Sequence, residues 1–294
     1  MKIVEYNNAN DIVVEFQDEY KTKIHTAYHN FKNGKVKNKI NRLGKVNYNN
    51  EGVLMKIINY SNAKDIVVEF QDEYKAKVHT QYNHFLKGEV KNPYYPSVCG
   101  VGMIGNKYPV SYKYKDTKEY SVWRGMLYRC FDEKTKEKCP AYKNATCCDE
   151  WLLFDNFYEW LHSQENFDKW LNNKMWALDK DIINKGNNIY SPKTCCLVPQ
   201  NINSLFVKND ARRGSLPIGI ERTNNKFRTI NVYNMVTKES KRSSLLNTQE
   251  KAFEVYKKYK EDVIKCVAKS EYTKGNITKV CYNAMMNYKV EIDD

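Results

Sequence analysis

Met175-Trp176-Ala177-Leu178-Asp179-Lys180-Asp181-Ile182, then Gly186-Asn187-Asn188, then Cys195-Cys196-Leu197-Val198-Pro199-Gln200-Asn201-Ile202-Asn203: the reading of this chain turns on these residues. Residues 175–182 read as a short strand. Gly-Asn-Asn marks a turn in the loop that follows. Cys195–Val198 reads as a second strand. Pro199 opens a helix through Asn203 to Phe206, since proline suits a first helical turn whose N–H has no partner anyway. The order is strand, loop, strand, helix.

Downstream, three strands are expected at Leu216–Glu221, Lys226–Val232 and Lys241–Leu246. A helix follows, opened by Asn247-Thr248-Gln249-Glu250 read as a capping box with Asn at the cap and Glu three residues later. A last helix is expected from about Ile277 to Tyr288. Upstream, Trp123, Met126, Leu127 and Cys130 fall at helical spacing within 119–131, and Trp151, Phe154, Phe157 and Trp160 within 149–163. Those aromatics are most simply core, and His162 is a surface or core histidine. Residues 93–117 read as an extended connector.

The N-terminal third is a duplication. Met1–Asn38 recurs as Met55–Asn92 with 26 of 38 positions identical. Ile12, Val14 and Phe16 alternate with Val13, Glu15 and Gln17, which is strand spacing. Asp18-Glu19 reads as a hairpin turn, Tyr20–Ile24 as a second strand, and Gly34 or Gly88 as the closing turn. Residues 39–54 look like a linker. Lys21/Lys23 and Lys75/Lys77, two apart, would share a strand face and suit phosphate, though a solvated face fits them equally. His25 and His79 read as partly buried histidines of a small β-module rather than a catalytic pair.

The length of 294 residues suits two domains or three small ones. With 41% hydrophobic and 28% charged residues the chain reads as folded, and 7 Pro and 12 Gly exclude collagen-like or linker-dominated architectures. No apolar run approaches the ~18 residues of a membrane span. Met1-Lys2-Ile3-Val4-Glu5-Tyr6 places an acid where a signal peptide is apolar, so an intracellular protein is expected. Nine cysteines without a C-x-x-C read as reduced, small buried hydrophobes, including the vicinal pairs Cys147-Cys148 and Cys195-Cys196. Zinc held by Cys139, Cys147 and Cys148 is the lesser reading, for want of ligand spacing. The net charge of +13 is uneven. Residues 207–260 hold 13 basic and 5 acidic groups, a balance of +8, whereas 261–294 stand at −1. Such a concentration is the footprint of a polyanion, here nucleic acid.

The stretch 175–207 resembles the ββα-metal core of HNH endonucleases, especially those of bacteriophages. Leu178-Asp179-Lys180-Asp181 matches the first element, Ser191-Pro192-Lys193-Thr194-Cys195 the second, and Leu197-Val198-Pro199-Gln200-Asn201-Ile202-Asn203 the third. The resemblance implies Mg²⁺ held by Asp179 and Asn203, since a hard cation takes carboxylate and amide oxygens. Lys180 falls on the general-base histidine and Thr194 on the asparagine that steadies it. A protonated lysine cannot take a proton from water, and loss of a general base costs about 10²–10⁴ in rate. Asp181 or a metal-bound water is then the substitute, with Lys180 contacting phosphate. The helical lead-in and the N-terminal repeats resemble those of the same phage proteins.

Residues 216–260 resemble the ethylene-response-factor (AP-two-like) DNA-binding domain, which phage homing endonucleases also carry. Pro217-Ile218-Gly219-Ile220, Lys226-Phe227-Arg228-Thr229-Ile230 and Ser243–Ala252 carry the likeness, with Ser243, Ser244 and Leu246 departing from the family's Leu, Gly and Phe. Such domains lay a three-stranded sheet in the major groove. Arg222, Lys226, Arg228, Lys241 and Arg242 lie on or beside those strands; arginine bonds guanine bidentately and lysine mostly meets phosphate.

The expected fold is therefore α+β and multi-module: repeat 1 with linker (1–54), repeat 2 (55–97), helical lead-in with HNH-like core (98–211), and a three-stranded sheet plus helix (212–294). Three functions compete. The first is a double-stranded DNA-binding, Mg²⁺-dependent nicking or homing endonuclease, working in the bacterial host cytoplasm if phage-encoded. The second is a catalytically silent DNA-binding regulator or accessory protein. The third is a protein-interaction module, which duplicated β-units and 23 tyrosines also suit.

Overall fold

Alternation builds the N-terminal unit as the sequence implies. In the second repeat Ile66, Val68 and Phe70 point inward from the strand Asp65–Phe70 and are buried. This computed structural model describes residues 1–17, 21–37, 42–207, 215–292 and 294. Repeat 1 is a three-stranded antiparallel sheet, Lys2–Asn8, Asp11–Glu15 and Lys23–Thr26, closed by the helical turn Tyr28–Lys32. Repeat 2 has the same series, Leu54–Asn62, Asp65–Phe70, Lys77–Thr80 and Tyr82–Lys87, with the same two register shifts in its first hairpin. It also gains a fourth strand, Val46–Tyr48. The stretch 39–54 is therefore more than a linker: Asn49 is buried, its Oδ1 accepting from the backbone N–H groups of Glu51 and Val53.

Two expectations for the repeats need correction. Lys21 and Lys75 have φ of 44° and 50°, left-handed turn conformations that interrupt strand alternation. In repeat 2, Asp72 Oδ1 accepts from the N–H groups of Tyr74 and Lys75, so the strand begins only at Lys77. Neither pair of lysines thus shares a strand face. His25 and His79 are exposed, beside Asp11 and Asp65 at 2.8 and 3.8 Å. The expected turn at Asp18-Glu19 lies outside the described residues.

The chain divides into two units, Met1–Tyr95 and Pro96–Asp294. In the second, helix Lys118–Phe131 starts at Thr117, whose hydroxyl accepts from the N–H of Tyr120. It packs Trp123, Met126, Leu127 and Cys130 against Trp151, Phe154, Phe157 and Leu161. Residues 149–163 split into a 3-10 turn, Asp149–Leu152, and a helix, Phe154–His162. Strands Trp176–Asp179 and Cys196–Pro199 pair antiparallel, and the short helix Gln200–Asn203 follows. Two further hairpins, Ile220–Thr223 with Lys226–Thr229 and Val232–Asn234 with Glu239–Lys241, lie beside the 25-residue helix Gln249–Thr273 and the helix Lys279–Asn287.

The third strand expected at Lys241–Leu246 is displaced. Asn234 Oδ1 accepts from the N–H groups of Val236 and Thr237, and Lys238 turns at φ 63°, which closes a second hairpin earlier in the chain. Residues 243–246 still dock on Lys226–Thr229, partly through side chains: Thr229 Oγ1 accepts from the Ser243 N–H, and Ser243 Oγ from the Thr229 N–H. Leu246 makes one backbone bridge to Phe227. The long helix is capped by Thr248, which accepts from the N–H of Lys251, one residue beyond the expected cap.

One hydrophobic core spans the expected division at 211/212, which itself lies outside the described residues. Ile182, Cys196, Val198, Ile202 and Leu205 of the strand-loop-strand-helix pack with Ile220, Val232, Phe253, Tyr256, Ile264, Val267 and Cys281. All nine cysteines are free thiols; Cys195 and Cys196 are buried as expected, whereas Cys147 and Cys148 are only half-buried and Cys139 is exposed. Among the described residues no helix is long and apolar enough to cross a membrane.

Candidate nucleic-acid interface and the ββα loop

The antiparallel register places Asp179 opposite Cys196, at the last rung of the two-stranded ladder. There its Oδ1 accepts from the backbone N–H groups of Asp181 and Ile182, both at 2.8 Å, and so closes the loop. Burial raises the pKa of this carboxyl above the ordinary carboxylate value, against the pull of the two N–H bonds. The Lys180 side chain is 7% exposed; its Nζ donates to Asp181 Oδ1 at 2.7 Å and to the Asn187 carbonyl at 2.8 Å. Asn187 Nδ2 donates back to the carbonyls of Lys180 and Ile189. Thr194 Oγ1 donates to the Ile189 carbonyl at 2.7 Å. Sequence reasoning missed Asn187, whose Gly-Asn-Asn setting reads only as a turn.

The loop's own bonds already use part of what these residues could offer an ion. The Asp179 oxygen that points into the loop is taken by two N–H groups, and a lysine ammonium already sits on Asp181. Asn203, the other expected ligand, is half-buried on the short helix. Among the described residues no three His, Cys, Asp or Glu side chains gather in metal-binding geometry, the zinc candidates Cys139, Cys147 and Cys148 included.

The hairpin Ile220–Thr229 sorts its charges by alternation. Ile220, Phe227 and Thr229 point to the helix side, which leaves Glu221, Thr223, Lys226 and Arg228 on the outer face. Asn224 and Asn225 make the turn at φ 47° and 61°, values that asparagine tolerates. Glu221 Oε1 accepts from Arg228 Nε at 2.5 Å and from Arg242 Nη2. Burial works against charge on Glu221, yet the two guanidinium bonds outweigh it and hold the carboxyl below its ordinary value. Two arginines distant in sequence are thus gathered at one point with one charge to spare. Nothing in the spacing of residues 221, 228 and 242 announces this clamp.

The remaining candidates spread out. Arg222 is exposed at the hairpin tip and donates to Asn225 Oδ1. Lys226 is exposed on the outer face. Lys241 pairs with buried Val232 and shares its helix side, with Nζ 5.8 Å from the Tyr259 ring centre, at a cavity of about 230 Å³. In the N-terminal unit, Lys77 lies 3.9 Å from Glu69 across its hairpin, and Lys23 is paired in register with Glu15. Lys21 and Lys75 sit in the turns before those strands. No protein-family model, curated protein or solved structure matches this chain.

Proposed function

We propose that this chain binds double-stranded DNA and does not cut it. The observation that carries the reading is the outer face of the hairpin Ile220–Thr229, where Arg228 and Arg242 are gathered by Glu221 beside the exposed Lys226. Pre-positioned guanidinium groups and a free ammonium suit base edges and phosphates together. The +8 balance of residues 207–260 supplies the long-range attraction. The HNH-like loop supports the silent reading: Asp179, Lys180 and Asp181 satisfy one another and the backbone, and the position of the general base holds an ammonium in an ion pair. The loop then acts as scaffold.

A gel-shift on duplex DNA, beside a supercoiled-plasmid nicking assay with Mg²⁺ and with Mn²⁺, tests this. Binding that weakens steeply with salt and an absence of nicking are expected. Metal-dependent nicking that disappears in Asp179→Asn would replace this reading with the nuclease. A shift insensitive to salt, or none, would leave the protein-interaction reading in its place.

A further inference from the structure

The two repeats share 26 of 38 residues, yet equivalent side chains lie in different surroundings. Met55 is fully buried, whereas Met1 is 44% exposed; Tyr82 is 9% exposed, whereas Tyr28 is 42%. Part of the difference is a segment seated beside repeat 2; among the described residues none takes the corresponding place along Lys2–Asn8. Residues 42–53 run along the outer edge of Leu54–Asn62, with Val46 opposite Lys56 and Asn47 opposite Met55. The pairing extends through the Gly44 N–H to the Ile57 carbonyl and the Ile57 N–H to the Lys45 carbonyl. Three side chains fasten the segment. The Arg42 guanidinium lies 3.5 Å from the Tyr82 ring centre. Asn47 Nδ2 donates to the carbonyls of Phe85 and Leu86 at the end of the helical turn. Asn49 Nδ2 donates to the Val90 carbonyl, beside an Asn50 N–H that bonds the Gly88 carbonyl.

Gly88 is the floor of this seat. A Cβ there would lie 2.8 Å from Asn50 Oδ1 and 3.0 Å from the Tyr48 carbonyl. At Gly34, its equivalent, a Cβ would meet nothing within 4 Å. Lys2–Asn8 is the edge of its sheet, and Met1, Lys2, Ile3, Tyr28, Phe31, Gly34 and Val36 repeat the residues Met55, Lys56, Ile57, Tyr82, Phe85, Gly88 and Val90.

We propose that repeat 1 is a β-strand acceptor for another polypeptide: it takes an extended peptide with the chemistry of residues 42–53, an arginine followed five and seven residues later by asparagines. The incoming strand adds to Lys2–Asn8, the outer strand of the described sheet, as in β-augmentation. Its arginine covers Tyr28, and its first asparagine bonds the carbonyls of Phe31 and Lys32. The segment of a second copy is not the favoured occupant, because each chain offers one such segment and already seats it; exchange between copies leaves the number of filled seats unchanged. The proposal stands apart from the DNA reading.

The probe is a labelled synthetic peptide of sequence 42–53, titrated into the full chain to about 1 mM, the range that a strand without its covalent hairpin needs. Saturable binding is expected, with slowed amide exchange at Ile3, the equivalent of the bonded Ile57. The protein variant Gly34→Asn tolerates the left-handed backbone and open space, and should abolish binding without unfolding. A peptide with Asn47→Ala should bind at least about fivefold more weakly, having lost two hydrogen bonds. No saturable binding, or equal binding by the Gly34→Asn protein, overturns the proposal. Equal binding by the two peptides overturns it as well.

Discussion

Asp179 offers the sharpest test of how the ββα loop is held. In Asp179→Ala the N–H groups of Asp181 and Ile182 lose their acceptor, and Ile182 is 2% exposed, so water reaches that side poorly. An unmet buried N–H costs about 1–3 kcal/mol. Since Asp181 is partly exposed, the pair should cost about 2–4 kcal/mol. Asp179→Asn keeps an oxygen in the same place and should stay within about 1 kcal/mol of the parent. For a unit of this size, about 2–4 kcal/mol lowers Tm by about 5–12 °C. Tryptophan fluorescence reports on the right unit, because all five tryptophans lie beyond residue 95. The pH dependence has a definite sign. The folded pKa of Asp179 is raised by burial, so the folded state holds this proton more tightly than the unfolded state. Its contribution to stability falls as pH rises from the ordinary carboxylate value through the raised one. Asparagine has no such dependence, so Asp179→Asn should gain on the parent across that window. If the asparagine variant melts as low as the alanine one, the hydrogen-bond account of the loop is wrong.

Gly219→Ala should destabilise the second unit by at least about 2 kcal/mol, because the new Cβ would lie 2.2 Å from the Tyr256 ring at a φ of 75°; thermal melting reads it. Lys226→Ala should reduce the slope of log K against log salt by about 1 in gel-shifts, with little change in base preference, if its ammonium meets phosphate. Glu221 has a lowered folded pKa, so its contribution is present above the ordinary glutamate value and lost as pH falls through the folded one. The side-chain resonances of Arg228 and Arg242 should therefore shift together as Glu221 takes up its proton, a common step that Glu221→Gln should lack.

Burial on one face imposes a period, and wherever it did the elements were legible. The helix Lys118–Phe131 and the strand Cys196–Pro199 lie within a residue of their expected places, whereas the strand expected over 175–182 ends at Asp179, where its carboxylate turns the chain into the loop. Polar residues doing structural work were not legible. Asn47, Asn49 and Asn50 read as a linker because their carboxamides and N–H groups bond backbone far along the chain. Lys75 and Lys238 adopt left-handed turns that lysine does not announce. In the candidate site, the basic residues could be listed from composition and resemblance, but their arrangement could not. Arg228 and Arg242 meet only because Ser243 and Thr229 exchange hydrogen bonds and bring the later residue onto the hairpin.

The core shared by Val198, Ile202, Ile220, Val232 and Phe253 has a consequence for any DNA lying on the outer face of Ile220–Thr229. No greasy plane separates the loop of Asp179 from the hairpin of Arg228, so neither can swing without opening common packing. The two then move as one body. A duplex held on the hairpin would keep the loop at one fixed distance as a rigid support beneath it, and no hinge between them could adjust the grip.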